Sequence, residues 1–287
     1  MPAGETAVSG AMVCDAAMPI GAVLQTNDTL ESDAAMPIDD VLQTNDTLES
    51  DAAMQSDAAI MPFISSANIA CGAHAGDLVS MEHTIGLAKR HGVSVGAHPG
   101  FPDRAGFGRV NMQMPAHVLR ASLHEQIVTI RNIAKAMGVN IRHVKPHGAL
   151  YNMAAADPEL ARLIATLVAD IDNNLIIFGL PGSELELAAK GQGLPFAAEV
   201  FADRAYCDDG SLLPRGMPGA QLKDVEVMTR RVVTMITSGY VLSVSGRKIM
   251  VKPDTVCAHG DNPVAPAFLK HLANKLKEAG IRVRCRH

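Results

Sequence analysis

From about residue 57 onward, short apolar runs alternate with longer stretches whose apolar residues recur at helical spacing. The runs at 66–72 ("SANIACG"), 93–97 ("VSVGA"), 141–145 ("IRHVK"), 174–179 ("NLIIFG"), 196–201 ("FAAEVF") and 254–258 ("DTVCA") predict strands. Helices are predicted at about 78–91, 115–138, 157–171, 182–191, 224–238 and 263–279. Pro115, Pro158 and Pro263 fall in expected first turns, where a missing N–H is harmless. Gly92, Gly138 and Gly280 fall where left-handed C-caps are expected. Strand–helix alternation of this kind predicts an α/β fold, a parallel sheet covered by helices. The stretch 240–251, "YVLSVSGRKIMV", breaks the alternation and predicts a hairpin turning at Ser245-Gly246.

The first 55 residues have a different texture. Residues 15–32, "DAAMPIGAVLQTNDTLES", recur almost unchanged at 33–50, and a third "DAAM" follows at 51–54. Two units are too few to bury a continuous repeat core. Residues 1–55 are therefore expected to form a poorly ordered, duplicated arm, with a catalytic domain over 56–287.

The polar residues gather where the predicted strands stop. The first strand delivers His74 and Asp77, the second His98, the third Lys145 and His147, the fifth Glu199, Asp203 and Arg204, and the last His259 and Asp261. In parallel α/β folds the loops after the strands share one face, and ligand chemistry collects there. Five strands thus deliver ionisable groups to one rim. Pro99 after His98 and Pro146 after Lys145 fix the chain as it leaves the sheet. Glu199 lies inside an apolar run, where a carboxylate needs a partner; Arg204 and a substrate are the two choices. Two long segments, 99–114 and 206–220, read as lids or binding loops and carry Arg109, Tyr206 and Arg215. Arg109 and Arg215 suit a carboxylate or phosphate.

Composition narrows the function classes. The 287 residues carry a formal charge of -5 and a pI near 6.1, which gives no footprint for nucleic acid. No apolar stretch approaches a membrane span, and the first residues do not resemble a signal peptide. Five cysteines without a CxxC argue against a disulfide framework or zinc–thiolate site, so a cytoplasmic protein with reduced thiols is expected. Walker A, GxGxxG and GxSxG sequences are absent. A metal-dependent deacetylase is a second reading, since rim histidines and carboxylates suit an ion, but no helical i, i+4 histidine pair supports it, and a noncatalytic binding subunit is a third.

The segments "SANIACGAHAGD", "GVSVGAHPGFPDRAGFGR", "HVKPHGALYN", "EVFADRAYCDDGSLLPR" and "CAHGD", in this order, resemble the LamB/YcsF family, the A subunits of prokaryotic 5-oxoprolinase. The resemblance covers about residues 56–282 and implies a seven-stranded (β/α) barrel of the glycoside hydrolase/deacetylase type. It implies ATP-dependent opening of 5-oxo-L-proline to L-glutamate together with subunits B and C, and leaves a divalent metal undecided. By this resemblance His74, Asp77, His98, Lys145, His147 and His259 are catalytic candidates. Arg109, Glu199, Asp203, Arg204, Tyr206, Arg215 and Asp261 are candidates for substrate binding. Lys145, Arg109 or Arg215 would hold the substrate carboxylate, and Asp77, His74 or His147 would activate water, with the base left open among them. The family commonly opens with a strand "DLNxDxGE". Here "LQTNDTLES", 42–50, is the nearest match, with Asp46 and Glu49 in place of its acids, so the first strand is expected to be degenerate. Ala73 stands where the family commonly has Phe.

Overall fold

The computed structural model describes residues 51–260 and 262–284, with side chains from residue 56. The tandem repeat, Asp46, Glu49 and Asp261 lie outside the described residues.

The chain opens with α1 (Asp51–Ile60) and a 3-10 turn (Met61–Phe63), then enters the sheet. The barrel elements follow as β1 (Ser66–Ala70), α2 (Leu78–His91), β2 (Ser94–His98), α3 (Ala116–Ala136) and β3 (Ile141–Val144). Next come α4 (Gly148–Ala156), α5 (Pro158–Ile171), β4 (Ile176–Gly179), α6 (Glu184–Gly191), β5 (Phe196–Phe201) and α7 (Val225–Ser238). The hairpin β6 (Tyr240–Leu242) and β7 (Lys248–Met250) precedes β8 (Thr255–Cys257) and α8 (Ala265–Glu278). Six strands pair in parallel in the order β1-β2-β3-β4-β5-β8, which makes a (β/α) barrel sheet. The resemblance implies seven strands; six are present among the described residues, and the stretch expected to supply the first precedes residue 51. The 55/56 boundary expected between arm and barrel falls inside α1.

Local chemistry explains the element ends. Asp77 accepts from Ser80 N, and Ser80 Oγ accepts from Asp77 N, a reciprocal cap at the start of α2. Asp157 caps α5 with Pro158 at its first position, and Asp224 caps α7. Gly92 and Gly239 close α2 and α7 at φ 69° and 66°, left-handed values that glycine adopts without strain. The sequence does not predict α4, whose residues "GALYNMAAA" lack polar alternation; it starts directly after His147. Hairpin β6–β7 is antiparallel, as its sequence predicts.

Helix stripes such as Leu119, Leu123, Ile127, Ile130 and Ala134 of α3 face the sheet and bury its outer surface. The sheet interior is tight enough to dictate a glycine. Asn68, Gly96 and His143 lie side by side on β1, β2 and β3. His143 reaches across Gly96 so that its Nε2 sits 2.7 Å from Asn68 Oδ1, with its ring stacked on Phe178. A Cβ at Gly96 would overlap the His143 ring itself. Gly96→Ala is expected to displace that ring and lower the unfolding free energy by about 3 kcal/mol. Urea unfolding of the variant against the parent chain checks this, and an unchanged midpoint would contradict it. No helix among the described residues is long and apolar enough to cross a membrane.

Candidate active site

Strand side chains alternate between faces, so His98 shares the interior face of β2 with Gly96, and Lys145 that of β3 with His143. Glu199 and Phe201 of β5, and Thr255 and Cys257 of β8, follow the same alternation. The contacts below bring His98, Lys145, Glu199 and Cys257 towards one another across the barrel interior.

On one side are three buried histidines. His74 and His147 stack with ring centroids 3.9 Å apart, and His98 meets His147 edge-on at 4.8 Å. His98 Nδ1 lies 2.6 Å from the Lys145 carbonyl, and His147 Nε2 lies 2.8 Å from the Phe107 carbonyl. The remaining nitrogens, His98 Nε2 and His147 Nδ1, are 2.9 Å apart. Carbonyl oxygens only accept, so both outer nitrogens carry hydrogens, and the inner contact needs a third proton shared by the rings. Burial opposes it. Burial and the Lys145 ammonium hold His98 well below the ordinary histidine range, and burial with the neighbouring histidines does the same to His147. The pair therefore gains a proton readily only when negative charge arrives beside it.

At the centre, Lys145 Nζ lies 2.7 Å from Glu199 Oε1 and donates to Cys257 Sγ at 3.3 Å. The aromatic rings of Phe201 and Tyr151 lie 5.2 and 5.7 Å from the ammonium. Burial pushes the Cys257 thiol well up, so it stays uncharged and Glu199 is the group that holds the Lys145 charge. Burial works against Lys145 but is outweighed by Cys257 and Glu199, and its value rises; burial lifts the Glu199 carboxyl against the pull of Lys145. The partner of Glu199 is thus Lys145, not Arg204. The Arg204 guanidinium instead donates to the Leu213 carbonyl at 2.6 Å and straps the 206–220 loop to the rim.

On the far side, His259 Nδ1 lies 2.7 Å from Asp203 Oδ1, and His259 N donates to Asp203 Oδ2 at 3.0 Å. Burial would raise the Asp203 carboxyl, but His259 and Arg215 hold it at about 2; burial drives His259 down to about 3 despite Asp203. At neutral pH the carboxylate is ionised and the imidazole neutral, its Nδ1 donating to Asp203 and its Nε2 keeping a lone pair. That is the arrangement of an oriented base. Asp203 is occupied by His259 rather than turned to a ligand, and Arg215 contributes its charge beside them. Phe201 links this pair to the centre, stacking on His259 at 5.8 Å. Tyr206 accepts from Phe201 N through its hydroxyl and so holds the end of β5.

The 99–114 loop closes over the histidines. Arg104 donates to the Gly72 and Gly76 carbonyls, and Arg109 lies over the Phe107 ring at 4.3 Å. Asp77 is not brought into the cluster; it is exposed and its carboxylate caps α2.

A family model described as LamB/YcsF matches residues 46–287 of the chain. The chain belongs to the LamB/YcsF family. It is 49% identical over 224 residues to the A subunit of 5-oxoprolinase from Geobacillus thermodenitrificans, covering 78% of this chain and 88% of that one. The corresponding 5-oxoprolinase chain of Pyrococcus abyssi is 46% identical over 227 residues, with 79% and 89% covered. The crystal structure of a lactam utilization protein from Thermus thermophilus superposes with a TM-score of 0.76 at 42% identity, covering 80% of this chain and 92% of that one. A putative cellobiose-phosphate cleavage protein of Enterococcus faecalis, at TM-score 0.51 and 13% identity over 85% and 95% of the chains, shares the fold alone.

In this LamB/YcsF chain the candidate site is also lined by residues that sequence reasoning passes over. Tyr151 sits on the unpredicted α4, His143 lies within a strand, and Cys257 reads from sequence as simple core. A histidine paired with a glycine on the next strand was the available signal for His143.

Proposed function

We propose that the chain is the A subunit of a cytoplasmic 5-oxoprolinase, opening 5-oxo-L-proline to L-glutamate with ATP and partner subunits B and C. The observation that carries this reading is the buried Lys145–Glu199 pair, flanked by the His98–His147 pair and the Asp203–His259 pair. It gains its substrate class from the lactam utilization protein and the 5-oxoprolinase subunits to which the chain is similar.

A lactam amide is resonance-stabilised, so water alone attacks it slowly. When bound, ATP would supply a phosphoryl group to the carbonyl oxygen, which activates the ring carbon so that one water expels the ring nitrogen and a second releases phosphate to leave glutamate. Lys145 is suited to charge developing on that oxygen. His259, neutral and oriented by Asp203, is suited to take a proton from attacking water. The His98–His147 pair, able to hold a third proton beside an anion, is suited to return one to the departing ring nitrogen. Arg215, beside Asp203 and His259, suits the substrate carboxylate. The chain's sequence holds no phosphate-cradling loop, so the nucleotide is assigned to a site completed by the partner subunits.

The metal-dependent deacetylase reading gains no observation of its own. Each ring nitrogen of His98 and His147 already faces a carbonyl or the other ring, and no group of three His, Cys, Asp or Glu among the described residues is placed to hold an ion.

The test is glutamate release from 5-oxoproline and ATP by the chain alone, by the B and C subunits alone, and by the three together. Turnover is expected only from the complete set, with no ATP hydrolysis by the isolated chain. A complete set that releases no glutamate overturns the proposal. Metal analysis of the active set separates the deacetylase reading.

A further inference from the structure

Glu199 and Tyr151 are placed in a way that packing alone does not explain. Glu199 is fully buried, yet neither of its carboxylate oxygens has an aligned hydrogen bond among the described residues, although Lys145 Nζ lies 2.7 Å from Oε1 and both Lys145 and Tyr151 act on the carboxyl. The Tyr151 hydroxyl, also buried, interacts with that carboxylate without an aligned hydrogen bond. Thr255 Oγ1, in register with Glu199 on the adjacent strand, likewise has no hydrogen-bond partner among the described residues. A core built for stability pairs such groups or replaces them with apolar ones. Here an acceptor with capacity to spare and two nearby donors, the phenol and the ammonium, lie side by side in a buried interior.

A five-membered lactam matches that set. Ring closure locks its amide in the cis form, so the N–H and the carbonyl oxygen face the same side. An ordinary trans peptide presents them on opposite sides. We infer that Glu199, Tyr151 and Lys145 read the cis amide of the substrate ring. Glu199 Oε2 accepts the ring N–H, and the Tyr151 hydroxyl and Lys145 ammonium donate to the ring carbonyl. This rests on the 5-oxoproline reading and deepens it, because it assigns the choice of a lactam to three named side chains.

The chemistry explains several selections at once. Proline has no ring carbonyl for the two donors. The lactone analogue turns a ring-oxygen lone pair towards Glu199. Glutamate, once the ring opens, no longer holds a donor and an acceptor side by side, so product loses the contacts that gripped substrate.

The experiment compares 5-oxoproline with N-methyl-5-oxoproline, which keeps the ring and carbonyl but cannot donate. Turnover is measured in the complete assembly and binding by calorimetry, for the parent chain, Tyr151→Phe and Glu199→Gln. The parent is expected to prefer 5-oxoproline by at least ~100-fold in kcat/KM. Glu199→Gln is expected to bring that ratio near one. Tyr151→Phe keeps the ion pair and is expected to weaken both ligands by about tenfold, without changing the ratio. Because Glu199→Gln risks the fold, Tyr151→Phe stands as the second test, with melting temperature recorded for each. A folded Glu199→Gln that keeps the parent's ratio, or a Tyr151→Phe with unchanged affinity, overturns the inference while leaving the 5-oxoprolinase reading intact. A parent assembly that ignores 5-oxoproline overturns both.

Discussion

Lys145→Met is expected to abolish turnover and to lower the unfolding free energy by about 3–5 kcal/mol. The stability loss does not come from a missing attraction alone. Glu199 remains fully buried, and without the ammonium 2.7 Å away its charge has no compensating cation there. The carboxyl must then either protonate or drag water into the barrel, and both routes favour the unfolded chain. A double variant, Lys145→Met with Glu199→Leu, removes the stranded charge and is expected to recover most of the loss while remaining inactive. Urea unfolding of the two variants and the parent chain is the measurement. Equal destabilisation of single and double variants would mean that packing volume, not the ion pair, sets the effect. This double variant also separates stability from chemistry, since the fold returns and the activity does not.

Acidification is expected to give the second large effect. His143 and His259 titrate at about 3 in the fold, driven down by burial first; Lys145 adds to the effect at His143, while Asp203 opposes it at His259. Both values lie below the ordinary 6.5, so between about pH 6.5 and 3 the unfolded chain binds the protons that the fold refuses. Stability therefore falls as pH falls through that window, by up to ~1.4 kcal/mol per pH unit for each histidine, or roughly 3 for the pair. His98 and His147 shift in the same direction and steepen the fall. Asp203, held at about 2 rather than 3.8, adds stability that is present above pH 3.8 and lost towards 2. Unfolding midpoints in urea at pH 7, 6, 5 and 4.5 measure the slope. A flat profile from pH 7 to 4.5 would show that these rings are protonated in the fold.

The order of strands and helices was legible because burial imposes it on sequence. Each of the six parallel strands reads as an apolar run, and all but β4, which runs on into Gly179-Leu180-Pro181, are followed by residues that turn polar. That is also why His98, Lys145, His147, Glu199, Asp203 and His259 could be named as a group. Their partners could not. An apolar run with one carboxylate does not say which cation reaches it, and Lys145 of β3 meets Glu199 of β5 only because the strands curl. Asp77 carries a second signal in the same sequence. Its spacing to Ser80 is a helix-start signature, visible in "DLVS", and the capping geometry uses the carboxylate locally. Helix α4 escaped notice because nearly every residue of it is small or apolar, which erases the amphipathic period on which detection rests. Tyr151 was lost with it.

The 99–114 loop bears on how this barrel can be altered. Phe107 holds a left-handed backbone at φ 57°, and its carbonyl is the one that His147 grips. Gly108 follows, and a Cβ on it would press into His74 at 2.8 Å and His147 at 2.9 Å. The Gly108 carbonyl accepts from Ala149 N, while a Cβ on Gly148 would strike that same oxygen at 2.5 Å. Loop, imidazoles and the first turn of α4 thus mesh like gear teeth with no clearance. Grafting the loop from a relative, a common route to new substrate range, will transplant cleanly only if the donor's "KPHG" turn travels with it.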